Sequence, residues 1–206
     1  MAVTFTPTTV TNPFGVQGSY PLELIPGHEG MVADLQAYVS RSYYNQSGAA
    51  IPFGSLVATD NTPSSNDPFA VALATSGTGV VGLAIDGLTF EGVSGSSAYT
   101  PNPTNIIGDG SARVGYPDTQ TVNVLSKGVV WVYSTAAIAL GDDVRFFGVD
   151  HSGTVDGAYV GRFTDTAVAN KTFALTGGAR WLSETAGAGL ALLEFDLPGV
   201  TFTADT

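Results

Sequence analysis

An all-β fold, an antiparallel sandwich or barrel, is what this 206-residue sequence predicts, and three observations predict it. From residue 48 onward the chain breaks into short segments rich in β-branched and aromatic residues. Turn-forming residues separate those segments at close intervals, a rhythm that fits about ten strands. Only residues 27–47 hold anything like a helical apolar period.

Residues 1–26 contain four prolines among scattered threonines. Proline fixes φ and removes a donor, so an extended segment that pairs poorly in a central sheet is expected. Its apolar side chains, Phe5, Phe14, Tyr20, Leu22 and Leu24, need a surface to lie on, either the chain's own body or a neighbouring subunit. Together with Met31 they form the candidate partner interface. In residues 27–47, Met31, Leu35 and Tyr38 approximate a helical stripe, but 38–43 alternates as a strand does, and a strand is expected there. The chain therefore divides into an extended N-terminal arm with its connecting segment over 1–46 and a β-rich body over 47–206.

Within the body the strand segments are AAIPFGSLVATD, FAVALAT, GVVGLAIDGL, TVNVLSKGVVWVYS, DDVRFFGVD, GAYVGRF, KTFALTGGARWLS and AGLALLEFDL. Turn chemistry falls at 60–63, 76–79, 126–128, 150–153 and 176–178. Residues 93–121, rich in Gly, Ser, Pro and Asn, read as a long inserted loop that is either plain surface or a clasp between subunits. Trp131 and Trp181 lie in the most apolar strands, near Tyr133, Phe146, Phe147, Phe163 and Phe173, and core packing is expected for all of them. A sugar-binding aromatic platform is the functional alternative.

Composition narrows the function classes. Charged residues make up 12% of the chain, about half the usual share, so the surface is mostly uncharged and suits faces covered by neighbours. Eighteen acidic against seven basic residues give a net charge of −11, of which −2 falls in residues 1–46 and −9 in 47–206. Without a basic stripe, phosphate backbones are repelled and direct nucleic-acid binding is not expected. The absence of cysteine removes disulfides, thiolate metal sites and cysteine nucleophiles. The N-terminus lacks the pattern of a signal peptide, and no segment approaches the roughly 20 apolar residues of a membrane helix. A soluble protein made and used inside a cell, with no membrane partner, is the expectation.

The residues that carry chemistry do not converge. His28 and His151 each lie in a turn and read as solvated loop residues. No serine occupies a Gly-x-Ser-x-Gly elbow. Gly77-Thr78-Gly79-Val80-Val81-Gly82 has dinucleotide-fingerprint spacing, but the following Val-Val-Gly-Leu-Ala-Ile continues as strand instead of opening a helix. A calcium loop over 150–157 would need glycine at its sixth place and glutamate at its twelfth, where Val155 and Gly161 stand, so a hairpin turn is preferred. Asp142-Asp143 reads as a turn leading into the Val144 strand. No catalytic residue, cofactor or metal is expected, and an enzyme is the least favoured class.

Three sets of motifs resemble the structural cement, or capsid decoration, proteins of tailed phages. The first is Gly30-Met31-Val32-Ala33-Asp34, then Val39-Ser40-Arg41, then Ala49-Ala50-Ile51-Pro52-Phe53-Gly54 with Leu56-Val57. The second is Val80-Val81-Gly82-Leu83-Ala84. The third runs from Gly128-Val129-Val130-Trp131-Val132 through Gly141-Asp142-Asp143-Val144, Gly161-Arg162-Phe163 and Ala179-Arg180-Trp181 to Ala188-Gly189-Leu190-Ala191-Leu192-Leu193-Glu194-Phe195. Their order and spacing cover most of 30–195; the first 26 residues and the 93–121 stretch match no motif of the family.

The resemblance implies a non-enzymatic decoration protein. Its partner would be the major capsid protein, and it would sit on the outer capsid surface of a virion after synthesis in the host cytoplasm. A homo-oligomer, dimer or trimer, is implied as well. The other class left open is a carbohydrate-binding or tail-associated β-sandwich module.

Overall fold

A computed structural model describes residues 27–60, 68–86 and 114–206. The arm residues Phe5, Phe14, Tyr20, Leu22 and Leu24, and the insertion as far as residue 113, lie outside the described residues. The strands are β1 (Val32–Asn45), β2 (Ile51–Pro52), β3 (Leu56–Thr59), β4 (Ala70–Leu73), β5 (Val80–Ala84), β6 (Gly115–Tyr116), β7 (Thr121–Ser134), β8 (Val144–Phe147), β9 (Phe163–Thr164), β10 (Thr172–Trp181) and β11 (Gly189–Ala204). No helix occurs among the described residues, so the alternation over 38–43 prevails over the weak helical stripe.

Nine strands join in the order β1-β4-β3-β5-β7-β11-β10-β8-β9, and the further pairings β1–β7 and β7–β9 close this ribbon on itself twice. Two five-strand circuits result, and both contain β7. Along one edge of β7 run β1 and then β9; along the other run β5 and then β11. The pairing is antiparallel except at β1–β4 and β7–β9, which are parallel. Closing a sheet removes exposed edges, which is why short strands such as β8 and β9 persist here.

The buried residues form two cores, the larger drawing on strands of both circuits, and strand alternation sorts side chains between them. In β3, Leu56 and Ala58 face the larger core while Val57 faces the smaller; in β5, Leu83 and Ala84 divide in the same way. The larger core also takes Phe146, Phe163, Leu193 and Phe195, all fully buried, each contributing about 1.5–3 kcal/mol by leaving water. In β7, Val122 and Val124 point into the smaller core, yet Val130 and Val132 point into the larger one. The change of face is produced by a bulge: the β1 register passes from Val39–Lys127 to Ser40–Leu125 and leaves Ser126 unpaired.

That bulge corrects one expectation. Ser126-Lys127-Gly128 is not a turn between strands but an irregularity inside a 14-residue strand. Thr176-Gly177-Gly178 behaves the same way, lying inside β10 with a register shift between Gly177 and Ala179. The residues that permit turns also permit bulges, because both need relaxed backbone sterics. By contrast, 76–79 and 150–153 do lie between strands.

Gly82 ends the dinucleotide reading on structural grounds. Its φ is +147°, and a Cβ there would fall 2.1 Å from the Leu125 carbonyl oxygen, so it serves the close passage of β5 against β7.

The last residues of the 93–121 stretch pair with the body: Phe53 N donates to the Val114 carbonyl, and β6 pairs with β2. This small sheet is fastened by Asn45, which is fully buried. Its Nδ2 donates to the carbonyls of Ala49 (2.7 Å) and Pro117 (3.1 Å), and its Oδ1 accepts from Ser47 N (3.1 Å) and Ser47 Oγ (2.8 Å). The Tyr116 hydroxyl donates to Ile85 O at 2.6 Å, while its ring meets Phe53 edge-on.

Candidate interaction surface

β1 is preceded by the turn Gly27-His28-Glu29-Gly30, which places Met31 at the start of β1. Gly30 N donates to Trp131 O (2.8 Å), Trp131 N to Met31 O (2.9 Å), and Asp86 N to Gly30 O (3.0 Å). Glu29 and Arg162, 133 residues apart, form a bidentate pair: Nε to Oε1 at 2.9 Å and Nη2 to Oε2 at 2.8 Å. The guanidinium lies 4.1 Å from the centre of the Tyr133 ring, and its side chain is 9% exposed. Two parallel charge-assisted hydrogen bonds over an aromatic face make a rigid joint between the turn and the residue that leads into β9. His28 is more than a solvated loop residue, since its Nε2 meets Asp86 Oδ2 at 2.7 Å, although the side chain stays 58% exposed.

From this turn an outward face spreads over β7, β11 and β10. Residues directly opposite in an antiparallel pair point to the same side. Trp131 faces Leu192 across the ladder, Leu190 faces Tyr133, and Arg180 faces Glu194. Leu182 N donates to Leu192 O, which carries the same row one strand further. The face therefore presents Met31, Trp131, Leu192 and Leu182 in line, with Met31 and Leu182 each 38% exposed. Ion pairs border it at one end, Arg180 with Glu194 and Lys127 with Asp196.

Trp131 is thus not a core residue. Its indole is half-buried on the outer face with Gly27 laid against it, whereas Trp181 is 3% exposed and donates Nε1–H to Asp143 O at 3.2 Å. Phe146, Phe147 and Phe163 are buried as expected; Phe173 is partly buried, stacked on Phe146; Tyr133 faces outward under Arg162.

Reactive groups are spread apart. Asp142 accepts from Ala139 N and closes its own turn, and Asp143 pairs with Arg145. Asp150 accepts from Ser152 N at 2.8 Å, so the 150–157 stretch is folded as a turn on its own backbone. Among the described residues no three His, Asp or Glu side chains gather where they would hold a metal ion. Among the described residues, a concavity of about 250 Å³ is lined by Arg41, Tyr43, Val80, Val81, Val124, Ser126, Leu197 and Pro198, none of them a carboxylate.

Of the six residues expected at a partner interface, only Met31 is among the described residues, on the outward face beside Trp131. Sequence reasoning missed the Glu29–Arg162 joint, whose partners are too far apart for any local pattern. It also missed the outward row, although a signal existed: Leu190-Ala191-Leu192-Leu193 is apolar on both faces of a strand, and only one face can point inward.

Among the described residues the fold is all-β, the paired charged side chains fasten turns and joints, and an apolar row lies on an outward face. The family model of the structural cement proteins (E217 gp24/Pam3 gp6) matches residues 16–196, and the chain belongs to that phage family. The match extends the motif resemblance from residue 30 back to residue 16 and runs through the 93–121 stretch. No curated protein matches. Mapped on the fold, the motifs are mainly structural. Gly30 adopts φ +82° against Phe53, Gly82 admits β7, and Arg162 of the Gly161-Arg162-Phe163 motif completes the joint with Glu29.

Proposed function

We propose that this protein binds the assembled major-capsid lattice on its outer surface, as a homo-oligomer, and stabilises the shell against the outward pressure of packaged DNA. The family match over residues 16–196 carries the reading. A protein that bridges subunits adds buried area to be separated before the shell opens, and binding only the assembled lattice favours that state by mass action. The low charge content and the apolar outward face suit surfaces that are covered in an assembly. The contacts are assigned to the arm within 1–46, through Phe5, Phe14, Tyr20, Leu22 and Leu24, with Met31 at its root.

The test is co-sedimentation with empty expanded capsids. The full chain should pellet with them, and removal of residues 1–26 should abolish binding while far-UV circular dichroism of the β body is retained. Unchanged occupancy after the truncation would refute the arm's role. For the glycan-binding alternative, Trp181 is enclosed in the core, while Trp131 and Tyr133 lie on the outward face.

A further inference from the structure

Three irregularities in the strand pairing meet at one place. In β5 the register against β3 passes from Val57–Gly82 to Ala58–Val80 and leaves Val81 unpaired. In β7 the bulged residue is Ser126. In β11 the register against β10 passes from Ala179–Phe195 to Gly177–Val200, so residues 196–199 stand against Gly178 alone. Bulges interrupt a ladder and re-aim its side chains, which is why they collect at barrel rims and beside binding sites. Val81, Ser126, Leu197 and Pro198 all border the concavity of about 250 Å³. Neighbours in a regular strand point to opposite faces, so Val80 shares this notch with Val81, and Leu197 with Pro198, because the strands are irregular there.

Arg41 supplies the notch with its charge. It stands opposite Val124 in the β1–β7 ladder and so points to the side of the smaller core, against which Tyr43 packs two residues further on. Of the four arginines among the described residues, Arg145, Arg162 and Arg180 each meet a carboxylate, whereas the Arg41 guanidinium makes no ion pair or hydrogen bond there. Asp196, the carboxylate beside Leu197 in the chain, is held by Lys127 at 2.8 Å. With 18 acidic residues against 7 basic ones, an arginine left unpaired in a concave, otherwise apolar wall is available to an anion from outside.

The walls decide which anion. Val80, Val81, Val124 and Leu197 offer apolar contact, and Tyr43 carries that surface on to Phe69, whose ring centre lies 6.4 Å from its own and which is 60% exposed. A phosphate backbone would gain one guanidinium against a net charge of −11, and nothing from these walls. A volume of about 250 Å³ falls short of the sites that hold drug-sized ligands and suits one or two side chains of a peptide.

We propose that this notch receives a glutamate or aspartate side chain, flanked by apolar residues, from the protein on which this chain docks. The carboxylate pairs with Arg41, whose guanidinium offers two parallel N–H donors, and the apolar neighbours cover Val80, Val81 and Leu197. Naming that protein as the capsid subunit rests on the reading above; the chemistry of the notch does not. The notch adds a second contact to those of the arm.

Two measurements on the full chain keep the two claims apart. In NMR spectra of isotope-labelled protein, acetyl-Leu-Glu-Leu-amide should shift the Arg41 Nε–H signal and the amides of Val81, Ser126 and Leu197 with millimolar affinity. Acetyl-Leu-Gln-Leu-amide and inorganic phosphate should leave those signals in place, and Arg41→Gln should abolish the response while circular dichroism stays that of the wild type. In co-sedimentation with empty expanded capsids, Arg41→Gln should weaken binding about tenfold or more, and Arg41→Lys should restore part of the loss. Lys171→Gln, which removes the same charge elsewhere, should leave binding unchanged. Failure of the wild type to pellet sinks the capsid reading and leaves the peptide titration to judge the notch. No shift with the glutamate peptide, an equal shift with the glutamine peptide or with phosphate, or full occupancy of Arg41→Gln on capsids overturns the proposal.

Discussion

The two circuits share β7 yet are held together differently. The second, built from β7, β11, β10, β8 and β9, packs Phe146, Phe163, Phe195 and Trp181 into one large core. The first, built from β1, β4, β3, β5 and β7, shares that core through Leu56 and Leu83 and packs Val57, Val71, Ala84 and Val124 with Ile51, Phe53 and Tyr116 in a smaller one. It relies in addition on polar fastening by Asn45 and the Tyr116 hydroxyl. The second circuit rests on apolar packing, and the first adds polar fastening to it.

The sharpest way to break this comparison is Phe146→Ala, which should cost about 3–5 kcal/mol from the cavity it leaves. Because β7 belongs to both circuits, denaturant unfolding should remain a single transition. Two resolved transitions would show that the shared strand does not couple the halves. Glu29→Gln leaves the largely buried Arg162 guanidinium without its charge partner and should cost about 2–3 kcal/mol, less than a fully enclosed pair because Glu29 keeps some solvent. Its loss should appear as faster amide exchange at residues 29–31 and 157–162.

Asn45→Ala removes a buried fastener and should cost about 2 kcal/mol. Faster exchange is expected at 44–52 and 114–120, with the amides of β8 and β10 unchanged; equal acceleration in β8 would contradict the division of labour. Arg180→Gln breaks an exposed pair and should shift the unfolding midpoint by less than about 0.5 kcal/mol.

Most of the strand content was legible, because hydrophobic alternation and turn residues are local signals. Val57 between Leu56 and Ala58 is a plain case: one residue faces one core and its neighbours the other. The closure was not legible, since it depends on bulges. Ser126-Lys127-Gly128 carries turn chemistry and gives no sign in the sequence that the chain runs straight through it. The aromatic assignment failed at Trp131 for a related reason. Apolar residues on both faces of β7 and β11 look like a doubly covered strand, and the sequence does not say that one of those faces points outward. The Glu29–Arg162 joint was invisible because it is set by tertiary proximity alone.

The way β1 meets β7 has a mechanical side. Tension applied at residue 27 along the strand axis would first meet the Glu29–Arg162 clamp and the Gly30 and Met31 hydrogen bonds to Trp131, then the antiparallel ladder that runs on to Tyr44. Bonds perpendicular to a pull are strained together instead of parting one after another. A tug on the arm is thereby distributed along a strand common to both barrels, while the same force directed away from the sheet would peel it rung by rung.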